Sequence, residues 1–252
     1  MRIIALQSGS KGNCIYLESA QSKILIDAGL SGSGAQQRLA DHNINIRDVN
    51  ALFISHDHAD HIACAGIFNR KFNIPLWTTP KTFEAIENRI GEVNNVWHFE
   101  SNTRFRFQDL TIEAVRTPHD AVDGVCFVID DGRARFGICT DLGHVFSGLP
   151  DLILSLDGVL LESNFDPRML QYGLYPEPLK RRIQGLNGHL SNEESARLIQ
   201  SSGRRLKSVM LGHISENNNT ESVVLDTHKK ILGPDFNCEI AHYRTSSNTV
   251  LL

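Results

Sequence analysis

The chain carries no excess of positive charge: 25 lysines and arginines stand against 29 aspartates and glutamates, a net charge of −4. Bulk attraction to a polyanion is thereby excluded, and any contact with nucleic acid needs a local basic patch. No apolar run approaches the roughly 20 residues that cross a membrane. The opening Met1-Arg2-Ile3-Ile4-Ala5-Leu6-Gln7 lacks the length and flanks of a signal peptide. The cysteines, Cys14, Cys64, Cys126, Cys139 and Cys238, are odd in number and form no C-x-x-C pair. Isolated in this way they read as small buried residues, not disulfides, and the expected location is the cytoplasm. A Pro/Ser-rich linker, a low-complexity break and a short-period repeat are all missing. At 252 residues, 41% hydrophobic and 21% charged, the chain has the make-up of a soluble globular protein. It is long enough to bury a substantial core, and residues 1–252 are expected to form one domain.

What the chain does have is Ile54-Ser55-His56-Asp57-His58-Ala59-Asp60-His61, directly after the apolar run Ala51-Leu52-Phe53-Ile54. A short apolar run bounded by polar residues reads as a buried strand. Apolar residues at helical spacing follow from Ile62 to Phe72, so the polar cluster sits on a strand-to-helix turn at a sheet's carboxyl edge. In an extended segment residues i and i+2 share a side, so His56 and His58 can share one partner. Asp60 and His61 point elsewhere and suggest a second. Neutral imidazole with carboxylate is the ligand set of zinc, and it also suits manganese or iron.

The rest of the chain alternates strands and helices. Arg2–Leu6, Cys14–Leu17 and Lys23–Ile26 read as strands, with the turn Ser8-Gly9-Ser10-Lys11-Gly12-Asn13 between the first two. That turn is either a simple hairpin connection or a nest of amides facing an anion. Helices are expected over Gly34–Asn43, Pro80–Ile90 and Asn192–Ser201, the last with Ser191 as N-cap and Glu194 in capping-box position. Further strands are expected at Ile74–Thr78, Val125–Ile129, Arg135–Cys139, Asp157–Leu161 and Ser208–Leu211, and Phe105–Val115 reads as a hairpin broken at Gln108-Asp109. The pattern predicts an α/β fold.

Metal-type residues stand at several of these strand ends: Asp27, the His56–His61 cluster, His119, Asp141 and His213. Two ligand sets follow if Asp141 bridges, one of His56, His58 and His119 and the other of Asp60, His61 and His213. Asp27 could then orient a ligand imidazole from behind.

This order of residues resembles the metallo-β-lactamase superfamily, across essentially the whole chain. The local sequences Ser8-Gly-Ser-Lys-Gly-Asn13, Gly188-His-Leu-Ser-Asn-Glu193 and Leu211-Gly-His-Ile-Ser215 resemble its YycJ (WalJ) group. The resemblance implies a four-layer αβ/βα sandwich of two mixed β-sheets with a dinuclear metal site between them. It also implies the ligand set His56, His58, Asp60, His61, His119, Asp141 and His213, which spacing alone made only plausible. Asp60 and Asp141 give each ion a hard oxygen ligand, unlike the cysteine-containing site of true β-lactamases. The stretch from Asp141 to His213 is too short for the extra domain of the β-CASP nucleases, and no protruding arm resembling that of tRNA 3′-processing enzymes is visible.

The expected activity is that of a phosphodiesterase or exonuclease on DNA, using two divalent ions and a hydroxide between them. Asp60 would orient the hydroxide, and His189 resembles the family histidine that protonates the leaving group. Candidate substrate contacts are Ser8, Ser10, Asn13, Asn164, Lys180, Arg181 and Arg182, with His144 near the site. The basic run Lys180-Arg181-Arg182 could track phosphates or simply be a solvated helix face. An ester, thioester or lactone hydrolase on the same scaffold is the alternative enzyme; a non-catalytic metal-binding protein is the alternative of another class.

Overall fold

A computed structural model describes all of residues 1–252. The first half runs β1 (Arg2–Gln7), β2 (Cys14–Glu18), β3 (Lys23–Ile26), α1 (Gly32–Asp41), β4 (Ala51–Phe53), α2 (Ala59–Ile62), α3 (Ala65–Phe72), β5 (Leu76–Thr78), α4 (Pro80–Ile90) and β6 (Val96–His98). The second runs β7 (Thr103–Phe107), β8 (Leu110–Arg116), β9 (Val125–Asp130), β10 (Arg135–Cys139), α5 (Leu149–Leu154), β11 (Gly158–Glu162), α6 (Pro167–Tyr172), α7 (Glu177–Ile183), α8 (Asn192–Ser202), β12 (Ser208–Gly212), α9 (Glu221–Leu232), β13 (Glu239–Ile240) and β14 (Val250–Leu251). Two seven-stranded mixed sheets result, in the orders β14-β1-β2-β3-β4-β5-β6 and β13-β12-β11-β10-β9-β8-β7.

Residues of alternate parity on each strand serve different layers, as the strand period requires. On β1, Ile3 and Ala5 face the second sheet and join Phe53, Phe127, Phe136 and Met210 between the two sheets. Ile4 and Leu6 face outward and pack with Leu39, Phe68 and Ile86 from the helices of the first half. Val159 and Leu161 of β11 do the same on the far side, under α5 and α8. Because both faces of the central strands are covered, they read as continuous apolar runs rather than alternating ones. The order of layers is therefore helix, sheet, sheet, helix, the expected sandwich. No helix is long and apolar enough to cross a membrane.

Two expectations need correction. The helix expected over Ile62–Phe72 is two helices, broken at Ala63-Cys64. The loop after β3 causes the break: Ala28 N donates to His61 O at 2.7 Å, and Cys64 N donates to Ala28 O at 2.8 Å, diverting both groups from helical pairing. The helix expected to begin at Gly34 begins at Gly32, because the Ser31 side chain caps it by accepting from Gly34 N. The capping box of α8 is present as expected, with Ser191 Oγ accepting from Glu194 N. At the edge of the sandwich Asp109, in the β7–β8 turn, ties the two sheets. It accepts from Ser19 Oγ at 2.8 Å and Gln21 N at 3.2 Å in the β2–β3 turn.

Candidate metal centre

All the strand-end residues singled out above converge on one site. Asp27 follows β3, His56 to His61 follow β4, His119 follows β8, Asp141 follows β10, and His213 follows β12. Asp27, Asp141 and His213 hold left-handed backbones, with φ of 64°, 56° and 52°. Such backbones are uncommon outside glycine, although Asp and His tolerate them better than most. At a strand end this twist redirects a side chain that would otherwise continue the sheet's alternation, and strain of this kind collects at functional sites.

The donors form four overlapping groups, and two of these are the expected sets of three. One ligand atom each from His56, His58 and His119 lie within 4.8 Å of one another, and so do atoms of Asp60, His61 and His213. Asp141 faces both. Its Oδ1 is 3.5 Å from His119 Nε2 and 3.4 Å from His213 Nε2, and its Oδ2 is 3.2 Å from His61 Nε2.

Around the donors a layer of hydrogen bonds fixes the rings of His56, His58, His61 and His119, the arrangement metal-binding histidines require. Asp27 Oδ2 lies 2.7 Å from His61 Nδ1 and accepts from Ser55 Oγ at 2.9 Å, while Ser55 Oγ meets His56 Nδ1 at 2.9 Å. His119 Nδ1 donates to Gly188 O at 2.8 Å and His58 Nε2 to Asp120 O at 3.2 Å. That leaves His58 Nδ1 facing His119 Nε2 at 3.2 Å.

The electrostatics follow from burial and these neighbours. Burial and then the nearby His61 hold His56 well below the usual imidazole value, in the neutral form that ligates. Burial lowers His58 and His213 also. His61 moves the other way: burial opposes its charge, but Asp27, Asp60 and Asp141 outweigh it and hold it well above the ordinary value. For Asp141, burial is outweighed by His213 and His61, which hold its carboxyl well below the usual range.

Residues of this kind fit a pair of divalent cations. His56 Nε2, His213 Nδ1 and Asp141 Oδ2 are buried without any hydrogen-bond partner. Buried polar atoms without partners are rare and costly, and bound ions are a standard reason for them. Imidazole and carboxylate together are a ligand set for zinc and its neighbours.

One functional residue escaped the sequence reading. Glu162, at the end of β11, is fully buried. Its Oε1 lies 2.6 Å from His189 Nδ1, and its Oε2 accepts from Leu142 N at 3.0 Å. Burial alone would depress His189, but the Glu162 carboxylate, through charge and hydrogen bond, raises it overall. The signal in the sequence was a glutamate closing an apolar strand. Its register partner Gly212 immediately precedes His213.

The other candidate contacts divide. Ser8 and Asn13 are buried and turned inward. Ser8 Oγ accepts from His213 N at 2.8 Å, and Asn13 Nδ2 donates to Asp60 Oδ2 at 3.3 Å. The turn therefore braces the candidate donors, and three amides of the nest reading are already paired: Gly9 N donates to Asn13 Oδ1 at 3.0 Å, Gly12 N to Gly9 O at 3.0 Å and Asn13 N to Asp60 O at 2.8 Å. Ser10 and Asn164 do line the cleft, which measures about 370 Å³, as do Asp60, His189 and Arg182. Asn164 also donates to His213 O at 2.8 Å. The run Lys180-Arg181-Arg182 is not one patch. Lys180 Nζ donates to Gln171 O at 2.7 Å, Arg181 points to solvent, and Arg182 pairs with Asp120, its Nη2 lying 3.1 Å from Oδ1. His144 is bound to Leu186 O at 2.8 Å and does not line the cleft.

Comparison with known proteins adds to this geometry. The family model described as the metallo-beta-lactamase superfamily matches residues 8–187. An exodeoxyribonuclease WalJ of Streptococcus pneumoniae is 38% identical over 223 residues, covering 86% of this chain and 83% of that protein. An exodeoxyribonuclease YycJ of Bacillus anthracis is 31% identical over 230 residues, covering 90% of this chain and 87% of that one. Among solved structures, the metallo-beta-lactamase fold protein YhfI of Bacillus subtilis superposes with a TM-score of 0.75 at 15% identity, covering 99% of each chain.

Proposed function

The chain belongs to the metallo-beta-lactamase superfamily, and from that premise we propose that it is a dinuclear metal-dependent phosphodiesterase that removes nucleotides from the ends of DNA. The observation that carries the metal half of this reading is the pair of three-donor sets flanking Asp141. The nucleic-acid half draws on the exodeoxyribonucleases to which the chain is similar. Ligands drawn from the strand ends of both sheets support treating 1–252 as one domain. Five unpaired cysteines support a reducing compartment such as the cytoplasm.

In this reading His56, His58 and His119 hold one ion, Asp60, His61 and His213 hold the other, and Asp141 serves both. Zinc is the proposed metal, since histidine dominates the donor set. When bound, the cations supply Lewis acidity toward a phosphoryl oxygen and toward water. The protein's own groups do the rest. Asp60 lines the cleft, and its carboxyl is held below the ordinary range, because the charge and hydrogen bond of His61 outweigh burial. It therefore stays an acceptor that can orient an attacking water. His189 keeps Nδ1 on Glu162 and carries the proton for the departing oxygen on Nε2. Its ring is fixed between those of His119 and His213, with centroids 4.9 and 5.3 Å away.

A timed digest of 5′- and 3′-labelled single- and double-stranded DNA, run beside a lactoyl thioester and a chromogenic β-lactam, tests the reading. Metal-dependent release of mononucleotides is expected. Turnover of the thioester or lactam with DNA left intact would transfer the site to small-molecule hydrolysis.

A further inference from the structure

The cleft is polar on all sides but one. Apart from Ala59, its apolar lining is Tyr175, Leu179 and Ile183, spaced four residues apart along α7 and the turn that leads into it. A metal-ligand floor and the Arg89 and Arg182 guanidiniums suit the phosphates of a nucleic-acid backbone. The apolar wall matches no phosphate. It matches the flat face of a nucleobase, the largest apolar surface that a nucleotide presents. Tyr175 is also held in place. Asn217 Nδ2 donates to its hydroxyl at 2.8 Å, which tethers the ring to the loop after His213, while part of the ring stays open to the cleft. Next to it in the chain Leu174 is 103% exposed and Tyr172 81% exposed. Large apolar side chains crowded into so short a segment without a protein partner mark a contact surface.

We propose that Tyr175, backed by Leu179 and Ile183, stacks on the nucleobase that flanks the scissile phosphodiester, and so sets affinity for nucleotide substrates over small esters. The proposal rests on the nuclease reading above. Stacking on an aromatic ring tolerates every base, so the wall confers recognition of a nucleotide without preference for sequence.

The test uses end-labelled oligonucleotides with either ordinary terminal nucleotides or a tetrahydrofuran abasic unit on each side of the terminal phosphodiester. Tyr175→Ala is expected to raise KM on ordinary ends by roughly 5- to 150-fold, with kcat little changed. On abasic ends wild type and Tyr175→Ala should have the same KM. Tyr175→Phe, which keeps the ring, should recover most of the affinity, and all forms should keep the metal content of wild type. An equal penalty on ordinary and abasic ends, or no penalty on either, would overturn the stacking role. Failure of wild type itself to release nucleotides would instead remove the nuclease reading, and the proposal with it.

Discussion

Glu162 and His189 lie 27 residues apart in the chain and 2.6 Å apart at Oε1 and Nδ1. Their pairing makes a charged imidazole available in a buried cleft, where burial by itself would strip the proton. Glu162→Gln keeps the shape and removes the charge, so kcat should fall about 10²-fold while KM and metal content stay near wild type. A steady-state assay with zinc analysis checks this; kcat within threefold of wild type would reduce Glu162 to a structural anchor for Leu142 N. The candidate donors were legible because all seven are histidine or aspartate after a strand end, and four of them fall within six residues. Glu162 was not. A lone glutamate ending an apolar strand looks the same in sequence whether it meets solvent or a histidine, and only the parallel pairing of β11 with β12 decides.

At the scale of elements, the site depends on how closely the loop after β3 packs against the start of α2. A Cβ built on Gly29 would lie 1.8 Å from Asp60 O and 2.6 Å from Asn13 N. Both neighbours are backbone, so neither can rotate away. Gly29→Ala must therefore displace Asp60 or the brace behind it. Affinity at the Asp60, His61 and His213 site should fall by about 10- to 100-fold, as for other changes behind metal ligands. Competition with a chromogenic chelator measures it, and unchanged affinity would show that the loop yields elsewhere. This same contact hid the break in the helix expected over Ile62–Phe72. Hydrophobic spacing carries no mark of a hydrogen bond from Cys64 to Ala28. The helices α5 and α6 were also missed, each being six residues long and too short for periodicity to separate from loop.

Across the whole molecule the two sheets are joined by their shared apolar layer and, at the edge, by Asp109. Burial works against the Asp109 charge, but the Ser22 and Ser19 hydroxyls and the Gln21 amide hold its carboxyl below the ordinary value. A carboxyl lowered on folding stabilises the fold above its unfolded pKa and loses that contribution as pH falls through the folded one. Asp109→Ala should therefore cost on the order of 1–2 kcal/mol at neutral pH, with the gap closing as pH falls below about 4. Urea melts of both proteins across that range check the direction; a gap that widens on acidification would contradict it. An α/β fold was legible because covered strands read as short apolar runs, while the four-layer sandwich came from the family resemblance; the pairing of edge strands β13 and β14 was not legible, each being two residues long.

Metal binding should also couple to stability over the whole chain, since the donors come from strand ends in both sheets. Chelation should lower Tm by several degrees, because a ligand at 100 times its Kd contributes about 2.7 kcal/mol, and restored zinc should return it. The two ions should sit in two separate sets of donors that share Asp141. Elemental analysis of the purified protein and of two variants tests it most directly. Wild type should hold two metal ions per chain, His58→Ala should keep one, and Asp141→Ala should weaken both. A wild-type protein that binds a single ion, or a His58→Ala variant that retains two, would contradict the account.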